Sequence, residues 1–79
     1  PQVLVNARVK NENKPLLKTN EVITAEIAKT EASLNGMGRV LIRPSGTEPV
    51  VRVMLEGNDK EALRKQAQAL ADLITDLLG

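Results

Sequence analysis

The sequence predicts an α+β fold: a small antiparallel or mixed sheet with two helices packed on one face, in the order strand, helix, strand, strand, helix. Three observations carry this. Near the start, apolar residues recur at every second position, the period of a strand with one buried face. Two later segments repeat their apolar residues at intervals of three and four, the period of a helix. Between them lie two short runs rich in Val, Leu and Ile, joined by a segment too short to hold a helix, so they pair as a hairpin. The strands need cover on one face, and two amphipathic helices supply it.

Gln2 to Val9 forms the first strand, with Val3, Val5, Ala7 and Val9 on one face and Leu4, Asn6 and Arg8 on the other. Lys10 to Lys18 is polar, contains Pro15, and reads as a connection with Leu16 and Leu17 tucked inward. Asn20 caps a helix running through Leu34, with Ile23, Ile27, Thr30 and Leu34 along its inner stripe. Asn35 and Gly36 stop that helix, since both tolerate positive φ. Arg39 to Arg43 and Val50 to Glu56 are the second and third strands, and Pro44 to Pro49 is their tip. That tip is slightly long for a hairpin, where about two to five residues is usual. Gly57 and Asn58 end the third strand, and Asn58 with Glu61 resembles a capping box. The closing helix runs to about Leu78, with Leu63, Ala67, Leu70, Ile74 and Leu77 as its apolar stripe.

Composition excludes several function classes. The 79 residues include no Cys, so there is no disulfide framework, thiol nucleophile or thiolate metal site. There is no His, the commonest general base. Phe, Trp and Tyr are absent, which removes the platform on which nucleic-acid bases stack. Lys and Arg number 11 against 10 Asp and Glu, a net charge of +1 that gives no field for a polyanion. No nucleic-acid partner is expected. Nothing approaches the ~20 apolar residues that span a bilayer, and no signal-peptide pattern is visible, so no membrane partner and a cytoplasmic location are expected. The sequence opens on Pro1 with strand residues almost at once, so residues 1–79 read as a single domain cut from a longer protein.

The basic excess of the first 19 residues, Arg8, Lys10, Lys14 and Lys18 against Glu12, reads as solvated surface. Asp59, Asp72 and Asp76 lie in the final helix segment, and Asp72 and Asp76, four apart on one face, read as solvated helix charge. No nucleophile, acid–base pair or acidic cluster is discernible, so no catalytic residue and no metal ligand are expected in these residues.

Arg43-Pro44-Ser45-Gly46-Thr47-Glu48-Pro49 is the one segment that core packing does not explain. A phosphate dianion needs several donors converging on one point. Arg43 offers a planar fork for two oxygens. Ser45 and Thr47 each offer a hydroxyl proton. Gly46 leaves room for close approach and lets successive N–H groups turn inward. Pro44 and Pro49 restrict the unbound loop and so lower its ordering cost. The same residues also fit a plain Gly-containing turn. Glu48 either pairs with Arg43 or Arg52 or lies exposed. Arg52, alternating with Val51 and Val53, points off their face and reads as a salt-bridged strand residue.

The run R-P-S-G-T-E from Arg43 to Glu48, continued by P-V-V-R-V-M-L-E-G up to Gly57, resembles the C-terminal domain of the α-D-phosphohexomutases. Within that family it is most similar to the bacterial phosphoglucosamine mutase branch, which Gly38-Arg39-Val40-Leu41-Ile42 also fits. The resemblance covers nearly the whole chain. It implies a TATA-binding-protein-like domain, the fourth of a four-domain enzyme that interconverts glucosamine 6-phosphate and glucosamine 1-phosphate, a precursor for cell-wall synthesis. It also implies a phosphoserine in the first domain and Mg2+ in the middle of the parent enzyme. Carried onto this sequence, the ligands of the non-reacting substrate phosphate are Arg43, Ser45, Gly46 and Thr47. Partners would be the phosphosugar and the other three domains, and the fragment alone would have no mutase activity. The alternatives are the equivalent domain of a phosphomannomutase or phosphoglucomutase, or an interaction module without a phosphate ligand.

Overall fold

The period-two segments pair as one antiparallel sheet in the order β1 (Gln2–Arg8), β3 (Val50–Glu56), β2 (Arg39–Pro44). A computed structural model describes residues 1–34 and 36–79. The third strand in sequence is central, paired antiparallel with β1 along one edge and with β2 along the other. In register, Val3, Leu55 and Val40 form one cross-strand row, and Val5, Val53 and Ile42 the next. Val51, Val53 and Leu55 are fully buried. The alternate residues face outward, in rows Leu4–Met54–Leu41 and Asn6–Arg52–Arg43. One face of the sheet is therefore core and the other is open.

Helices α1 (Glu21–Ser33) and α2 (Lys60–Leu78) cover the core face. Asn20 caps α1 as its sequence predicts, its Oδ1 accepting from the Val22 and Ile23 N–H groups at 3.0 and 3.1 Å. Gly36 has φ of 72°, in the left-handed region expected just past a helix; its predicted companion Asn35 lies outside the described residues. The N-cap of α2 is Asp59, not Asn58: the Asp59 carboxylate accepts from the Glu61 and Ala62 N–H groups at 3.1 and 3.3 Å. The turn out of β3 runs through Asn58, so the first extended residue able to aim a carboxylate at the helix start is the next one.

Two further details depart from expectation. Leu77 is exposed and Leu78 takes its place in the core, beside Ala71. At about 100° per residue, Leu78 falls inside the arc bounded by Leu70 and Ala71, and Leu77 falls outside it. The connection after β1 winds into a 3-10 helix, Asn11–Leu17, which buries Leu17 but leaves Leu16 exposed. With three residues per turn, adjacent leucines cannot face the same way. This turn is anchored to the end of α2: the Leu78 carbonyl accepts from the Lys10 N–H at 3.1 Å and from Asn13 Nδ2 at 3.0 Å.

Gly38 sits where β2 meets β3. A Cβ built there would lie 1.9 Å from the Glu56 carbonyl oxygen, so only glycine fits. Gly38 thus serves the close approach of two strands.

Candidate functional site

The β2–β3 tip, Ser45 to Pro49, is held at several points. The Ser45 N–H donates to the Val50 carbonyl at 3.0 Å, and the Val50 N–H to the Glu48 carbonyl at 2.8 Å. From outside the hairpin, the Val9 N–H donates to the Pro49 carbonyl at 3.0 Å. Within the tip, Ser45 Oγ accepts from the Glu48 N–H at 3.1 Å and, more weakly, from the Thr47 N–H at 3.4 Å. The Thr47 and Glu48 N–H groups turn inward onto this hydroxyl oxygen, a pattern that also closes an ordinary serine turn. That oxygen uses its lone pairs as an acceptor, which leaves its proton available to donate.

Gly46 is informative for what it does not do. Its φ is not positive, and a Cβ added to it would meet nothing within 4 Å. The turn does not need glycine there, so the fold alone does not explain the residue. Open space above the backbone is what close approach of a ligand uses.

Ser45, Gly46 and Thr47 share the tip. Arg43 lies just before it, on the open face of the sheet, in register with Arg52. These two arginines border a shallow hollow of about 230 Å³ together with Leu4, Leu41 and Met54. Like charges directly opposite each other on a sheet repel. Among the described residues the ion pair is Arg39 Nε to Glu56 Oε1, at 3.2 Å; neither Arg43 nor Arg52 has an acidic partner. The expected salt bridge of Arg52 is therefore not found, and Glu48 is exposed without a cationic partner. The acidic residue close enough to neutralise a strand arginine stands at the other end of the sheet.

On the opposite side, Ser45 and Gly46 border a groove of about 790 Å³ between β2, α1 and the 3-10 helix, whose walls include Leu17, Ile27 and Ile42. Lys14 reaches across its end. Its Nζ donates to the Ser45 carbonyl at 2.5 Å and to the Glu48 carbonyl at 2.7 Å. Sequence reading placed Lys14 among solvated charge. The available signal was the basic excess of the first 19 residues, but nothing in the spacing tied it to a tip three decades of residues later. The tip is thus a ridge with a lysine behind it and two arginines in front. Asp72, by contrast, is exposed and accepts from Gln68 Nε2 at 2.8 Å, as helix-surface charge does. Among the described residues no cluster of acidic side chains gathers in a form that would hold a metal ion. None of the described helices is long and apolar enough to cross a membrane.

Fold and tip together define a class: a small α+β domain that presents a donor-rich hairpin at one end of its sheet. The family model for the phosphoglucomutase/phosphomannomutase C-terminal domain matches residues 4–73, and the chain belongs to that family. A phosphoglucosamine mutase of Alkaliphilus metalliredigens is 61% identical over 79 residues, covering 100% of this chain and 18% of that protein. Phosphoglucosamine mutases of Caldicellulosiruptor bescii and Clostridium novyi are each 59% identical, over 79 and 76 residues. They match 100% and 96% of this chain, and 18% and 17% of their own lengths. The chain therefore spans less than a fifth of these relatives.

Proposed function

We propose that this chain is the C-terminal domain of a four-domain phosphoglucosamine mutase and holds the substrate phosphate that is not reacting, while glucosamine 6-phosphate and glucosamine 1-phosphate interconvert. The observation that carries the proposal is the tip itself. A glycine the fold does not require stands between two hydroxyl residues, with two unpaired arginines at its flank. Arg43, Ser45, Gly46 and Thr47 are the ligands, and Arg52 joins them from the neighbouring strand. A dianion between Arg43 and Arg52 would turn their mutual repulsion into attraction. The domain contributes binding, not bond-making: energy from a remote phosphate positions the reacting hydroxyl. In this reading the phosphoserine and the Mg2+ of the reaction belong to other parts of a cytoplasmic parent enzyme.

The test is an NMR titration of the 79-residue chain with glucosamine 6-phosphate and, in parallel, inorganic phosphate. The amide signals of Ser45, Gly46 and Thr47 and the Nε signal of Arg43 are expected to move first with both. Gly46→Ala is expected to leave the melting temperature unchanged, since its Cβ meets nothing, and to abolish most of the response. Movement confined to the helices, or none at millimolar ester, would overturn the reading.

A further inference from the structure

We infer that Lys14 is a positioning residue for this site: it locks the Ser45–Gly46 peptide in the orientation that aims the Gly46 N–H at the substrate phosphate. The inference rests on the phosphate reading above and goes beyond it, because Lys14 lies outside the tip and on another element.

The argument starts from peptide geometry. In a trans peptide, the carbonyl and the following N–H point in opposite directions. The described residues contain no cis peptide. The Ser45 carbonyl points at Lys14 Nζ, 2.5 Å away, so the Gly46 N–H points away from Lys14. Among the described residues no acceptor takes that N–H. Glycine flanked by a turn is the residue whose peptide plane rotates most freely. A charge-assisted hydrogen bond from an ammonium is among the stronger restraints available to it. The Glu48 carbonyl, the second acceptor of Lys14, lies on the other limb of the tip, so one ammonium fixes both limbs.

Lys14 is itself held. It is half-buried on the 3-10 helix, where the neighbouring Asn13 is tied to the Leu78 carbonyl and Leu17 is buried in the core. Lys14 commits two of its three N–H donors to carbonyls on the far side of the tip from the two arginines. Its contribution is therefore aim rather than direct contact.

The test repeats the titration with glucosamine 6-phosphate on Lys14→Met, which keeps the length of the side chain and removes the donor. Affinity is expected to fall about tenfold. At saturation, the Gly46 amide shift is expected to collapse selectively, while Ser45, Thr47 and Arg43 Nε still respond. Lys14→Arg, which restores donors, should recover part of the Gly46 response. Protected β3 amides in each variant establish that the fold is intact, and Lys14→Leu, also without a donor, replaces Lys14→Met should the latter not fold. Unchanged affinity with a normal Gly46 shift would overturn this inference and leave the phosphate reading standing. Weaker affinity with every saturating shift preserved would also overturn it, by showing that Lys14 acts as a distant charge. No response in the unsubstituted chain would overturn the phosphate reading itself, and this inference with it.

Discussion

Arg43→Ala is expected to weaken phosphate-ester binding about ten- to a hundredfold while leaving the domain as stable as before or slightly more so. The loss follows from removing charge-assisted hydrogen bonds of about 1.5–3 kcal/mol. The stability result follows from the register: Arg43 and Arg52 face each other on an open strand pair without an acid to separate them. Deleting either relieves that repulsion, by a few tenths of a kcal/mol at an exposed site. Arg43→Lys keeps the charge but loses the two-point fork, and its affinity is expected to lie between those of the unsubstituted chain and Arg43→Ala. Arg52→Ala should behave like Arg43→Ala in direction. A calorimetric titration together with a thermal melt monitored by circular dichroism reads both quantities. Equal affinity in Arg43→Ala, or a large drop in melting temperature, would mean that this arginine serves the fold.

Gly38→Ala is expected to cost about 3 kcal/mol, the upper range for forcing extra atoms into packed surroundings. Its Cβ would stand 1.9 Å from a backbone carbonyl of the central strand, and backbone cannot swing aside as a side chain does. A domain of this size has only about 4–12 kcal/mol of total stability. The melting temperature should therefore fall by on the order of 10–20 °C. Far-UV circular dichroism is the suitable probe, because the chain has no aromatic residue to fluoresce. A fall of only a few degrees would show that β2 can part from β3 at its first residue without disturbing the rest. Set against Gly46→Ala, this substitution separates a glycine the fold demands from one it does not.

The strands and helices were legible because each buries one face, and a buried face imposes a period. The alternation at Val3, Val5, Ala7 and Val9 gave both the strand and its inner side, and Asn20 gave the start of α1 through a bond its side chain makes to nearby backbone. Features set by distant contacts were less legible. Whether Leu77 or Leu78 is buried depends on where the sheet lies under the last turn of α2. The choice of Asp59 over Asn58 as cap depends on how the chain leaves β3. The tip was readable from residue chemistry, since Arg, Ser, Gly and Thr together exceed what a turn needs. Lys14 and the facing of Arg52 to Arg43 were not, because both depend on register and on which elements meet across the fold. Neither leaves a local pattern.

The Leu78 carbonyl has a reach that its place at the end of a helix conceals. It holds the 3-10 helix, and that helix carries the lysine that spans the hairpin tip. Fraying of the last turn of α2 would therefore travel to the site through two hydrogen bonds and one short helix, without altering any residue that meets phosphate. Bulky fusions placed directly after Gly79 would be felt as a loss of ligand affinity, whereas trimming that removes Leu78 would also take a buried side chain out of the core and destabilise the fold itself. Labels and immobilising linkers used to study the site belong instead on the solvent side of α2, at positions such as Lys65 or Asp72.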